Sequence, residues 1–142
     1  MLYENTAEGD YATLFFAEYD DNTRKLRYSN CGHPPALLLR GDDGLERLGA
    51  TCTVVGLFEK WDCAMEEREL APGDTVLLYT DGVTEALSAE GEQFGEERLL
   101  EATRQHRELS LPELLAAVAG QARRFSPHEQ SDDITLIAAK CT

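Results

Sequence analysis

The stretch that most constrains this chain is Pro72-Gly73-Asp74 followed by Thr75-Val76-Leu77-Leu78-Tyr79-Thr80 and then Asp81-Gly82. A short run of β-branched and apolar residues with turn residues on both sides reads as a buried strand. A strand of that kind needs cover on its faces, so the chain must build layers around it.

Upstream, residues Ala12 to Tyr19 and Arg24 to Cys31 flank the polar cluster Asp20-Asp21-Asn22-Thr23, which predicts a β-hairpin. Gly32-His33-Pro34-Pro35 interrupts, Ala36 to Arg40 resumes the strand pattern, and Gly41-Asp42-Asp43-Gly44 turns the chain toward Leu45 to Leu48. An irregular stretch from Gly49 to Asp62 precedes a further strand over Cys63 to Leu70. After Thr80 the period changes. Glu96 to His106 is rich in helix formers, and Ser110-Leu111-Pro112-Glu113 has the form of a capping box, with Ser110 at the N-cap and Glu113 at N3. Leu114, Leu115, Val118, Ala119, Ala122 and Phe125 then recur at helical spacing up to Pro127. Ile134 to Ala139 closes the chain as another strand. Strands first and paired helices later predict an α+β chain with antiparallel sheets rather than a βαβ alternation. Met1 to Asp10 carries no cap or strand signal and few helices are available for two sheet faces, so the expectation is one domain over residues 1–142, incomplete at its N-terminus.

Composition narrows the function. A chain of 142 residues supports one core and no second independent domain. Its 27 Asp and Glu against 13 Lys and Arg give a formal net charge of -14, a field that repels phosphate backbones and anionic lipid. Nucleic-acid binding and membrane insertion are therefore not expected, and cations or basic partner surfaces are favoured. Cys31, Cys52, Cys63 and Cys141 include no CxxC pair and no zinc-ligand spacing, so they read as free thiols in a reducing compartment. Nothing approaches the roughly 20 apolar residues that span a bilayer, and no signal-peptide pattern opens the chain, so the expected location is cytoplasmic.

Two acidic positions share a local logic. Asp81 follows one apolar strand and Asp132 precedes another. Strand ends are rigid places from which carboxylates can converge, and hard cations such as Mg²⁺ and Mn²⁺ take oxygen ligands. The competing reading is that Asp-Gly and Asp-Asp merely shape turns. Glu85 reads as a second carboxylate near an ion or as a solvated residue, and Asp133 as a ligand, a backbone partner or a turn residue. His33 beside two prolines reads as structural, and His106 and His128 as helix-end and loop residues. No GxSxG, GxGxxG or Walker pattern is present.

Together, Tyr11-Ala12-Thr13-Leu14-Phe15-Phe16, Tyr28-Ser29-Asn30-Cys31-Gly32-His33-Pro34-Pro35, Pro72 to Ala86 with its Thr80-Asp81-Gly82, and Ser131-Asp132-Asp133-Ile134-Thr135-Leu136 resemble bacterial PPM (type 2C-like) serine/threonine phosphatases of the sporulation stage II protein E type, in their C-terminal portion. The resemblance implies an αββα sandwich of antiparallel sheets flanked by helices. It implies a metal-dependent phosphatase using two Mn²⁺ or Mg²⁺ ions, with no side-chain nucleophile beyond a metal-held water. Asp81 and Asp132 would be metal ligands, with Asp133 and Gly82 just outside them. It also implies, as partner, a phosphorylated regulatory protein such as an anti-sigma-factor antagonist, and an upstream sensory or receiver domain. The family's earlier metal segments have no counterpart before Tyr11, which implies at most one weak ion site, little turnover, and uncovered sheet surface that favours a homodimer. The alternative is a regulator-binding module with a degenerate phosphatase fold and no catalysis.

Overall fold

The computed structural model describes residues 10–60, 62–127 and 133–142. The chain forms two compact units, one running up to Thr75 and including Cys141 and Thr142, the other Val76–Lys140. It is a mixed α+β chain whose described strands are shared between a three-stranded and a four-stranded sheet.

In the first unit, β1 (Leu14–Asp20) and β2 (Lys25–Cys31) make the expected hairpin, in register from Leu14 opposite Cys31 to Asp20 opposite Lys25. Asp20 caps the turn between them by accepting the Asn22 amide at 2.9 Å. β5 (Glu66–Glu69) pairs antiparallel with the other edge of β2, from Lys25 opposite Glu69 to Tyr28 opposite Glu66. The central strand is accordingly the buried one: Leu26, Tyr28, Ser29, Asn30 and Cys31 are inside, while β1 leaves Leu14, Phe16 and Tyr19 exposed. The Tyr28 hydroxyl donates to Glu66 at 2.9 Å, and burial together with that bond pushes its pKa up to about 12. β3 (Ala36–Leu39) and β4 (Leu45–Leu48) form a second hairpin, closed by Arg40 N–H to Gly44 O at 2.8 Å. Leu37, Leu38 and Leu48 have no exposed surface, and each such side chain contributes about 2 kcal/mol through burial.

Two turns in this unit are set by single residues. Gly32 sits at φ +76°, and a Cβ there would collide with Cγ1 of Val54, so Gly32-His33-Pro34-Pro35 tolerates only glycine at its first position. Asp74 is buried and locks the Pro72-Gly73-Asp74 turn. It accepts the amides of Gly41 and Ala71 at 2.9 Å each and the Arg40 guanidinium at 2.7 Å. Burial alone would raise its pKa, but the Ala71 amide, the Arg40 guanidinium and the Gly41 amide outweigh it and hold the carboxyl below its ordinary value.

The second unit contains β6 (Thr75–Tyr79) from Val76 onward, the single-turn helix α1 (Asp81–Thr84), α2 (Gly95–Gln105), α3 (Leu111–Phe125) and β7 (Leu136–Lys140). The buried strand, both longer helices and the closing strand match the sequence pattern; α1, too short for any periodicity, does not announce itself. Beneath α3 lie Leu114, Val118 and Ala122, one helical turn apart, and beneath α2 lie Leu99, Leu100 and Ala102. Phe94 meets Phe125 edge to face with ring centroids 5.4 Å apart, and Arg98 lies 4.7 Å over the Phe125 ring. The Ser110 amide donates to the Glu113 carboxylate at 3.2 Å while the Ser110 side chain accepts the Glu113 amide, the reciprocal pair of the box, and the Ser110 hydroxyl also donates to that carboxylate at 2.6 Å. β7 starts at Leu136, two residues later than the sequence pattern suggests, because Asp133 and Thr135 are engaged with Thr80 instead. It runs antiparallel to β6, as Thr80 N–H donates to Thr135 O at one end while Cys141 pairs with Gly73 and Asp74 at the other.

Candidate metal centre

β6 ends in Tyr79, which is buried, and its hydroxyl donates to Glu96 at 3.2 Å. The next residue, Thr80, leaves the strand with extended backbone (φ -91°, ψ 158°) and becomes the N-cap of α1. Asp81 is therefore the first residue of that helix, exposed, with its carbonyl accepting the Glu85 amide at 2.8 Å. Gly82 and Val83, the next two residues of the helix, are buried. Glu85 is exposed, as the solvated reading expects.

Thr80 is the residue that joins the two acidic segments. Its hydroxyl donates to the Asp133 carbonyl at 3.0 Å and accepts the Thr135 amide at 3.0 Å, and its own amide donates to Thr135 O at 3.1 Å. The turn carrying Asp81 thus lies directly against the segment that carries Asp133. Asp132, the second expected ligand, lies outside the described residues, as does His128. Thr80 was not singled out by the sequence, although a threonine between a buried strand and an Asp-Gly turn is a good N-cap candidate and could have been read as one. The side chains of Asp81 and Asp133 on these two segments are carboxylates, the ligand type that suits a hard divalent cation rather than a soft one. His33 plays the structural part expected of it: its amide donates to Asn30 Oδ1 at 2.9 Å, Nδ1 lies 3.0 Å from Pro34 O, and its ring meets Phe15 edge-on.

The cysteines depart from expectation. Cys52 and Cys63 are joined in a disulfide with Cα atoms 4.9 Å apart, and Cys31 lies beside them, so the reading of four separate free thiols holds for Cys31 and Cys141 only. The cause is strand-end pairing that no sequence spacing encodes. The backbone of Cys31 pairs with that of Cys52, and the backbone of Cys52 with that of Cys63, through an irregular stretch with no pattern of its own. Burial pushes the Cys31 thiol pKa up. Among the described residues, this trio is the grouping of three ligand-type side chains close enough to share an ion.

Residues 1–142 match the family described as Stage II sporulation protein E (SpoIIE). The chain belongs to the SpoIIE family. It is 34% identical over 146 residues to Protein IcfG of Synechocystis, covering 96% of this chain and 22% of IcfG. It is 26% identical to the phosphoserine phosphatase RsbU of Bacillus subtilis, covering 99% of this chain and 42% of RsbU. The chain thus spans less than half the length of either relative. Among solved structures, the SiaA-PP2C domain of Pseudomonas aeruginosa superimposes with a TM-score of 0.80 at 24% identity, over 92% of this chain and 52% of that one. The fold of this SpoIIE-family chain is therefore that of PP2C-type phosphatase domains, as the four ordered segments imply. No helix among the described residues is long and apolar enough to cross a membrane.

Proposed function

We propose that this SpoIIE-family chain is part of a metal-dependent phosphatase that removes phosphate from serine or threonine of a bacterial regulatory protein, such as an anti-sigma-factor antagonist. The observation that carries the reading is the Thr80 clamp, which holds the turn bearing Asp81 against the segment that follows Asp132. In this reading residues 1–142 are the C-terminal portion of a single phosphatase domain, working in the cytoplasm downstream of a sensory or receiver domain. Asp81 and Asp132 hold divalent ions through carboxylate oxygens, Asp133 supports the neighbouring backbone, and Gly82 keeps the α1 turn tight against the layer beneath. When bound, Mn²⁺ or Mg²⁺ acidifies a coordinated water and offsets charge on the phosphoryl oxygens. The chain's own contribution is positional. Thr80 spends its hydroxyl on backbone groups at both 133 and 135, so the two acidic segments cannot drift apart without breaking both bonds. The net charge of -14 favours cation capture and a substrate presenting basic residues around its phosphoryl group.

The test is isothermal titration of Mn²⁺ into the natural full-length protein, run beside release of phosphate from a phosphoserine protein substrate. Heat of binding and turnover should both fall sharply in Asp81→Ala and Asp132→Ala. Binding that is identical in wild type and both variants removes the site.

A further inference from the structure

Three sulfurs from distant parts of the first unit converge at the end of β2. Cys31 is the last residue of β2 and is buried; Cys52 is half-buried and Cys63 exposed. The Sγ atom of Cys31 lies 3.5 Å from that of Cys52 and 3.9 Å from that of Cys63. Cys52 and Cys63 are bonded to each other, the oxidised form of the pair. Zinc bound to thiolates at about 2.3 Å in tetrahedral geometry sets its sulfurs about 3.8 Å apart, the span that Cys31 already keeps to both partners. The backbone is also prepared. Cys31 bridges Cys52, Cys52 bridges Cys63, and the amides of Thr51 and Cys52 both donate to Asn30 O, so the three Cα positions are fixed by pairing rather than by the sulfur bond alone. The Thr51 hydroxyl lies 3.2 Å from Cys52 Sγ, and its oxygen already accepts the Asn30 amide, leaving its hydrogen to be given to the sulfur. Outer hydrogen bonds of this kind orient sulfur ligands.

We propose that in its reduced form the Cys31, Cys52 and Cys63 trio is a three-thiolate site for Zn²⁺, a reading independent of the phosphatase one. A dithiol or phosphine reductant delivers two electrons to the Cys52–Cys63 bond and leaves two thiols. Zn²⁺ then displaces three protons, one from each sulfur, and the exposed side at Cys63 leaves its fourth position to water. Re-forming the disulfide removes two of the three ligands, so loading and oxidation exclude one another. Soft thiolates select zinc over the Mn²⁺ or Mg²⁺ that suits the oxygen donors near Asp81.

Cobalt is the probe, because thiolate-bound Co²⁺ absorbs through sulfur-to-metal charge transfer and carboxylate-bound Co²⁺ does not. The full chain, reduced with a phosphine under anaerobic conditions, should take up Co²⁺ with a near-ultraviolet thiolate band and the visible bands of a tetrahedral ion, and Zn²⁺ should erase both. The oxidised chain should show neither until it is reduced. Losing outer hydrogen bonds costs metal sites about 10–100-fold in affinity, so removing a ligand through Cys31→Ser should cost at least about 100-fold. Cys141→Ser should leave the titration unchanged. Cys63→Ser removes an exposed ligand, keeps the fold by circular dichroism, and should weaken binding as much as Cys31→Ser does. A reduced wild type without the thiolate band overturns the proposal, and so does a Cys31→Ser titration matching wild type, which is what a plain Cys52–Cys63 disulfide predicts.

Discussion

Replacing Thr80 with valine keeps the shape of the side chain but removes the oxygen that donates to Asp133 O and accepts from Thr135 N–H. Two backbone groups then lose a partner at once. Each such bond is worth about 1 kcal/mol net, and both groups sit where water can partly replace it, so Thr80→Val should lower unfolding free energy by about 1–2 kcal/mol in urea titrations. An unchanged midpoint would mean that the strand pairing alone holds the segments. Asp74 is the harsher case, because Asp74→Ala orphans the Gly41 and Ala71 amides and leaves the Arg40 guanidinium without its buried partner. Breaking a buried pair from one side costs about 3 kcal/mol, measurable in the same titration. At this scale the sequence is uneven as a guide. Asp81 stands out because an acidic residue follows an apolar run, whereas the role of Asp74 depends on Arg40 and Gly41, more than thirty residues away, and reads locally as one more Pro-Gly-Asp turn.

Elements were legible where one local rule suffices. The β1–β2 hairpin follows from alternation around a polar cluster, and α3 follows from a cap, a proline at N2 and apolar residues one turn apart. Ser110→Ala should therefore cost about 1 kcal/mol and fray the start of α3, seen as faster amide exchange over its first turn; exchange equal to wild type would show that tertiary packing sets that end. The illegible pieces obey no local rule. The stretch between β4 and β5 carries Cys52 and the approach to Cys63, and its conformation is fixed by single bridges to β2 and by Ala12–Val55 pairing, not by propensity. For the same reason β5 is shorter than the run from Cys63 to Leu70 suggests, since Cys63 is held in an isolated bridge and the ladder with β2 begins only at Glu66.

At the scale of the whole molecule, two electrostatic effects oppose each other as pH falls. The net charge of -14 makes the folded chain repel itself, and protonation relieves that. Against it stand carboxyls held below their ordinary values in the folded state: Asp74 by the amide and guanidinium bonds that outweigh its burial, Glu46 chiefly by Arg40, and Asp20, Glu67 and Glu113 by nearby donors. A group whose folded pKa lies below its unfolded value binds fewer protons folded than unfolded through that window. Its stabilisation is complete above the unfolded value, about 4, and drains away as pH drops through the folded one. Salt separates the two effects, because repulsion between exposed charges is screened beyond about 8 Å at physiological ionic strength while the buried Asp74–Arg40 pair is not. In high salt the melting temperature should therefore stay level from pH 7 to about 5 and fall below about 4. Asp74→Asn should melt lower at neutral pH yet lose less on acidification, so that the two curves converge toward pH 3. Parallel curves would show that the acid limit of this fold is set elsewhere than at the Asp74 latch.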